Sequence, residues 1–171
     1  MQVVKKSILL LLTALIAFIL FAPKRELYYL LQKKLQQEGI VLDQRKIIEK
    51  PLGLHLEEVT IYWQGIELGT FRTLDAETFL LYNRLDGYAF QISPAMQRFV
   101  QLSIDRLKIR YRLWNPRHLV LEAQGSFGQI HGFYDIKERM LRVRWTRIGE
   151  IENLRPYLKR DKEGWYYERQ F

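Results

Sequence analysis

The sequence predicts a mainly β protein: an N-terminal transmembrane helix plus an amphipathic helix, then a curved antiparallel sheet, β-roll or taco-like, with a short C-terminal helix. Three observations carry that reading. Residues 7–22, SILLLLTALIAFILFA, run sixteen positions without a charge. Leu27, Leu30, Leu31 and Leu35 follow at helical spacing. From about Val41 onward the apolar period becomes two, the period of a strand with one buried face.

The chain has 171 residues, 48% apolar and 13% aromatic, which is room for one modest domain and an appendage. It has no cysteine, so disulfides, thiolate metal ligands and thiol nucleophiles are excluded together. No internal repeat, low-complexity tract or Pro/Ser linker divides it.

The apolar run is the appendage. Sixteen residues make a helix of about 24 Å, a little short of the ~30 Å hydrocarbon core. Lys5 and Lys6 before it, and Lys24 and Arg25 after it, are placed to reach the two head-group layers. Tyr28 and Tyr29 suit an interfacial belt. A cleaved signal peptide has the same opening, but Leu20 stands where the second small residue of a cleavage site belongs and Pro23 follows Ala22 directly. A retained anchor is therefore expected, with residues 1–6 as a cytoplasmic tail, 7–23 as the span, 24–39 as the amphipathic helix and 40–171 as the β domain. Positive charges on the two sides are nearly balanced. The signal-anchor character favours placing the β domain outside the cytoplasm.

In KRELYYLLQKKLQQEG the leucine stripe is expected to lie against the bilayer or to pack on the chain's own sheet, and Gly39 to end the helix. Leu54 and Leu56, then Val59, Ile61 and Trp63, alternate with polar residues across an out-of-step Glu57-Glu58 pair that suits a bulge. Gln64-Gly65 predicts a turn and residues 66–79 the return strand. Residues 79–85 read as a helical turn, Asp86-Gly87 as a chain reversal, and Ile92-Ser93-Pro94 as an interruption. A strand is expected over residues 100–114, ended by Asn115-Pro116-Arg117 because proline lacks the amide proton of a ladder. Leu119, Leu121 and Ala123, later Ile130, Gly132, Tyr134 and Ile136, then Leu141, Val143 and Trp145 continue the meander, with a turn at Lys137-Glu138-Arg139. Residues 151–160 read as the short helix, capped by Asn153. WYYERQF is the last strand.

GSFGQIHGFYD, residues 125–135, carries three glycines, a histidine and an aspartate. Its G-x-x-G-x-x-x-G spacing matches neither the dinucleotide nor the P-loop pattern, and strand alternation surrounds it. The glycines therefore mark a bend or a close backbone approach. His131 and Asp135, four apart on a strand, are ~13 Å from each other and cannot act as a pair. His55 and His118 fall in other strands, with no evident acidic cluster around any histidine. No catalytic, metal or cofactor-binding residue is assigned, and an enzyme is not expected.

The informative pattern is basic. In RLKIRYRL, Arg106, Lys108, Arg110 and Arg112 share one face of a strand, and Leu107, Ile109, Tyr111 and Leu113 the other. Arg142 and Arg144 repeat this opposite Val143 and Trp145. Neutralisation by acids of the first strands is the plain explanation of the charged face; contact with anionic head groups or an acidic partner is the functional one. Nucleic acid is not expected as a partner, because the aromatic residues lie on the face opposite the basic ones.

Taken together, the anchor, the helix, GLHLEEVTIYWQGIELG and GSFGQIHGFYDIKERMLRVRWTRIGEIENLRPYL resemble the AsmA and type II secretion N group of periplasmic β-sheet proteins. The resemblance covers residues 50–160 and rests on a glycine-punctuated strand pair, matched here by Gly128, Ile130, Gly132 and Tyr134. It implies a rolled sheet with an apolar side, used in envelope assembly, secretion or lipid transport, in a single-pass protein of the bacterial inner membrane with its C-terminal domain in the periplasm. The alternatives are a structural scaffold of an inner-membrane complex without a lipid ligand, and an LptC-like component of lipopolysaccharide export. The partners it implies are the lipid bilayer, envelope proteins and an acyl-chain or lipid ligand. Leu107, Ile109, Tyr111, Val143 and Trp145 are then the candidate apolar ligand face, and Arg106, Lys108, Arg110 and Arg112 the candidate anionic contact.

Overall fold

Period-two alternation from residue 40 onward becomes one antiparallel meander. The computed structural model describes residues 6, 7, 10, 11, 13, 14, 17, 23–79, 82–98, 102–152 and 154–171. The seven described positions before residue 23 are helical. The rest of the apolar run lies outside the described residues, and no helix among those described is long and apolar enough to cross a membrane.

Helix α1 (Lys24–Gln37) precedes β1 (Ile40–Lys50), β2 (Gly53–Trp63), β3 (Ile66–Phe79) and β4 (Tyr82–Ile92). A single turn of helix, α2 (Pro94–Gln97), leads to β5 (Ser103–Arg112), β6 (Asn115–Gly125), β7 (Gly128–Asp135) and β8 (Met140–Ile148). The chain closes with β9 (Lys159–Asp161) and β10 (Gly164–Gln170). Strands pair in sequence order through β8, then β10, then β9, so β1 and β9 are the edges of an open sheet. The mainly β antiparallel expectation holds at that level.

Several local expectations change. Residues 82–85 belong to β4 and are not helical, and Asp86-Gly87 lies mid-strand, opposite Asp75 and Leu74. Gly87 is there because the Phe71 ring occupies the space a side chain would need. Asn115 and Pro116 begin β6 instead of ending β5, since the reversal is at Leu113-Trp114. Proline at the second position of a strand sits at the margin of the ladder, where the missing donor costs least. The strand expected over 100–114 is Ser103–Arg112, and residues 99–101 lie outside the described residues. The late helix shrinks to a 3-10 turn, Arg155–Tyr157, because Ile151 is buried, Leu154 and Leu158 pack beside it, and β9 claims Lys159. Its expected cap, Asn153, lies outside the described residues.

GSFGQIHGFYD is strand, two-residue turn, strand: Ser126-Phe127 links Gly125 to Gly128, which takes a φ of +99°. Phe127 is buried, and its carbonyl accepts the Gly149 N–H at 3.0 Å. The turn is thus held inside the fold.

The Glu57-Glu58 irregularity extends far beyond β2. Arg45, Glu58, Arg72, Ala89 and Asp105, one per strand in β1 to β5, all drop out of the pairing ladder. Glu58 and Ala89 both have φ of +51°. At this crease every strand reverses which side chains face inward: Leu56 and Val59, Phe71 and Leu74, and Ile104 and Leu107 all turn to the same side although three residues apart. The crease continues as a register slip at Asp105 against β6 and as an extra residue, Thr146, in β8.

Two apolar clusters cover the ends of one sheet face. Leu54, Leu56, Val59 and Phe71 pack under Tyr28 of α1. Ala123, Phe127 and Ile151 form the other, with Trp145 and Trp165 beside them. Most of the leucine stripe of α1 does not pack on the sheet: Leu27, Leu30 and Leu31 are 57%, 63% and 52% exposed, while Leu35 is partly buried. Tyr28 turns inward instead, its ring in the first cluster and its hydroxyl donating to the Gln44 side chain, and polar side chains of α1 reach carbonyls of edge strand β1. Gln32 Nε2 donates to the Leu42 carbonyl at 2.5 Å and Arg25 to that of Ile47 at 3.5 Å.

Candidate functional site

Register turns the strand alternation into rows that cross the sheet. One row runs Leu74, Gly87, Leu107, Ala123, Ile130, Trp145. The next runs Ala76, Leu85, Ile109, Leu121, Gly132, Val143, Tyr167. A third joins Tyr111, Leu119, Tyr134 and Leu141. The five residues singled out for an apolar ligand, Leu107, Ile109, Tyr111, Val143 and Trp145, therefore lie on one face, on β5 and β8, with β6 and β7 between them.

They are not equally available. Val143 is buried, Leu107 touches both core clusters, and Trp145 packs against the second. Ile109 and Tyr111 are only partly buried and belong to neither cluster, as are Leu119, Leu121, Tyr134 and Leu141. The partly exposed part of the apolar face is this patch, which lies beside the two clusters toward the turns at Leu113-Trp114 and residues 137–139. Sequence reasoning missed its β6 members, Leu119 and Leu121, although their alternation was plain; only the register places them between the two chosen strands.

Gly132 lies at the centre of the patch. A side chain there would run into the Arg142 carbonyl and stand 2.8 Å from the Val143 Cα, so strands β7 and β8 meet here through bare backbone.

On the other face, the four basic residues do share one side of β5, but their partners differ. Arg110 pairs with Glu122. Arg106 donates to the Tyr88 hydroxyl at 3.2 Å, lies 5.3 Å from that ring's centre, and stands 3.9 Å from Asp86. Arg112 lies 5.9 Å from the centre of the Trp114 ring. Lys108 makes no ion pair among the described residues. Neutralisation by acids of the first strands accounts for little of this face, because those acids pair locally: Lys46 with Glu57, Lys50 with Asp75, Arg84 with Asp86. Arg142 and Arg144 are matched from the far end, by Glu168 at 2.5 Å and by Asp161 and Glu163 at 2.8 and 2.9 Å.

The three histidines gather no acidic cluster among the described residues, yet none is isolated. Each stands directly across a strand pair from a carboxylate: His55 from Asp75, His118 from Asp135, His131 from Glu122. His55 Nδ1 is 2.8 Å from Asp75, whose burial opposes its charge while hydrogen bonds from Lys50 and His55 prevail and hold its pKa below the ordinary value. His131 Nδ1 is 3.5 Å from Glu122, and His118 Nε2 is 3.5 Å from Asp135, which is itself tied to Arg117. His131 and Asp135 do not meet, as the strand spacing required. Cross-strand register, invisible without the pairing, makes these acid–histidine contacts.

Between β5 and β8 the polar face has a cavity of about 390 Å³, lined by Arg106, Lys108, Glu122, Gln124, Gln129, His131 and Thr146, with the edges of Ala123 and Ile130. Among the described residues no three His, Asp or Glu side chains gather as metal ligands.

Comparison with protein-family models, with curated proteins and with solved structures finds no match to this chain.

Proposed function

We propose that the chain is a membrane-anchored periplasmic accessory protein of envelope assembly, secretion or lipid transport, without enzymatic activity, whose sheet offers its open apolar patch to acyl chains. The observation that carries this reading is the patch itself. Ile109, Leu119, Leu121, Tyr134 and Leu141 form contiguous rows on the cluster-bearing face, belong to neither cluster and remain partly exposed beside them. Apolar area left in contact with water costs about 25 cal/mol per Å², so such a patch in one piece favours an apolar occupant. The exposed leucines of α1, which starts right after the apolar run and carries Lys33 and Lys34, suit a helix resting on an anionic bilayer surface. Resemblance to the AsmA and type II secretion N group supports the same placement, with the rolled sheet of that group as the expected shape.

The placement is tested by a reporter fused after Phe171 in the full chain. Activity of a reporter that works only outside the cytoplasm is the expected result; activity of a cytoplasm-only reporter overturns the placement and the acyl role with it.

A second reading, a scaffold of a membrane complex, is favoured by one observation. Beyond Tyr166 no described strand pairs with the outer side of β10, which leaves a short ladder edge for a partner strand. Recovery of partners that survives Leu121→Glu but is lost on placing proline at Arg169 would favour it.

A further inference from the structure

We propose that the polar face of the sheet holds a second binding site, for a phosphate group carried on a small polar moiety such as a sugar. The site is the cavity over β5 to β8, on the face opposite the apolar patch, so it stands independently of the acyl-chain reading.

Its shape has a structural cause. The crease leaves β5 one register step out against β6 at Asp105, and β8 carries the additional Thr146 against β7. Irregularities of this kind bend strands and re-aim side chains, and both flank the hollow. Its volume, about 390 Å³, falls in the range of small-molecule sites, ~300–1,000 Å³.

Its charge is not cancelled. The lining carboxylate, Glu122, is already matched by Arg110. Lys108 has no ion pair among the described residues, although it lies in register between Asp86 and Glu122; Asp86 is taken by Arg84. Arg106 is steered into place by Tyr88, and its Nε is buried with no acceptor. Two cations thus line the hollow: Lys108 has no anion of its own, and Arg106 shares Asp86, at 3.9 Å, with Arg84. A phosphate, with several acceptor oxygens and charge to match, is the complement. Around them Gln124 and Gln129 face each other across β6 and β7, with His131 beside them. These amide and imidazole groups donate and accept hydrogen bonds, which suits hydroxyls of a carrier moiety and not an aliphatic chain.

The test uses the full chain in phosphatidylcholine nanodiscs, titrated calorimetrically with glucose 1-phosphate, inorganic phosphate and glucose. Saturable binding of glucose 1-phosphate is expected, tighter than that of either simpler probe. Lys108→Gln should weaken it by about tenfold or more, the loss typical of a charge-assisted hydrogen bond. Lys108→Arg should keep it, and Arg142→Gln, on the same face outside the hollow, should leave it unchanged. Repeating the titration in discs containing phosphatidylglycerol identifies the source: competition that depends on Lys108 supports a lipid head group, and its absence supports a free phosphorylated compound. No saturable binding, equal affinity for glucose, or equal weakening by Lys108→Gln and Arg142→Gln, the mark of a diffuse positive field, overturns the proposal.

Discussion

Asp135 is almost fully buried, yet every oxygen has a partner. One accepts the backbone N–H groups of Lys137 and Glu138 at 2.9 Å each, closing the turn from β7 to β8. The other meets Arg117 at 2.5 Å. The Glu138 amide does most to hold its pKa below the ordinary carboxylate range; burial opposes this and Arg117 adds to it. A depressed folded-state pKa contributes stability that is present above the unfolded value, about 4, and is lost as pH falls through the folded one. Asp75 and Asp161 are depressed too, so the acid side of the stability profile is shared. Asp135→Asn should therefore lower the thermal midpoint at neutral pH and flatten its fall below about pH 4; an acid limb identical to that of the parent chain would contradict this account. None of it was legible in the sequence, where Asp135 is notable only for its spacing from His131. An aspartate's partners are set by the turn that follows and by the strand opposite, and neither spacing nor composition encodes that pairing.

Elements were legible wherever one rule governed them. Gln64-Gly65 takes φ values of +50° and +81°, which suit a two-residue hairpin turn, and Gly39 ends α1 at +80°. The crease was legible only in part. Glu57-Glu58 announced it in β2, but the same three-residue step from Phe71 to Leu74 and from Ile104 to Leu107 is ambiguous in isolation, since strict alternation is broken by any turn. Helix α1 shows the opposite failure, in which most of a valid helical stripe points away from the sheet while polar side chains reach its edge strand. Its two faces should separate in experiment. Tyr28→Ala, removing a buried ring and the 2.8 Å hydrogen bond of its hydroxyl to Gln44, should cost roughly 3–5 kcal/mol in urea unfolding. Replacing Leu27, Leu30 and Leu31 together by serine should change stability by less than about 1 kcal/mol while reducing quenching of an α1 fluorophore by spin-labelled lipids. A large stability loss in the triple variant would show that the leucine face is packed, and unchanged quenching that it does not touch lipid.

At the scale of the molecule, one sheet has two unlike faces. Rows of leucine, isoleucine and valine fill one face and a lattice of ion pairs the other, with both core clusters lying on the apolar side. The basic stripe and the apolar stripe of β5 were separable from the sequence because they share one strand. Which apolar residues remain partly exposed was not, since that depends on where α1 and the 149–158 segment pack. The central claim, that the partly exposed patch meets acyl chains, concerns two neighbouring residues with opposite outlooks: Leu121 faces the patch, and Val120 faces the charged side between Arg110 and Phe133. A photoreactive residue placed at each position in turn, in the full chain in living cells, tests it most directly. Lipid-mass adducts from position 121 and none from position 120 are the predicted result; no lipid adduct at 121, or equal adducts at both, would contradict it.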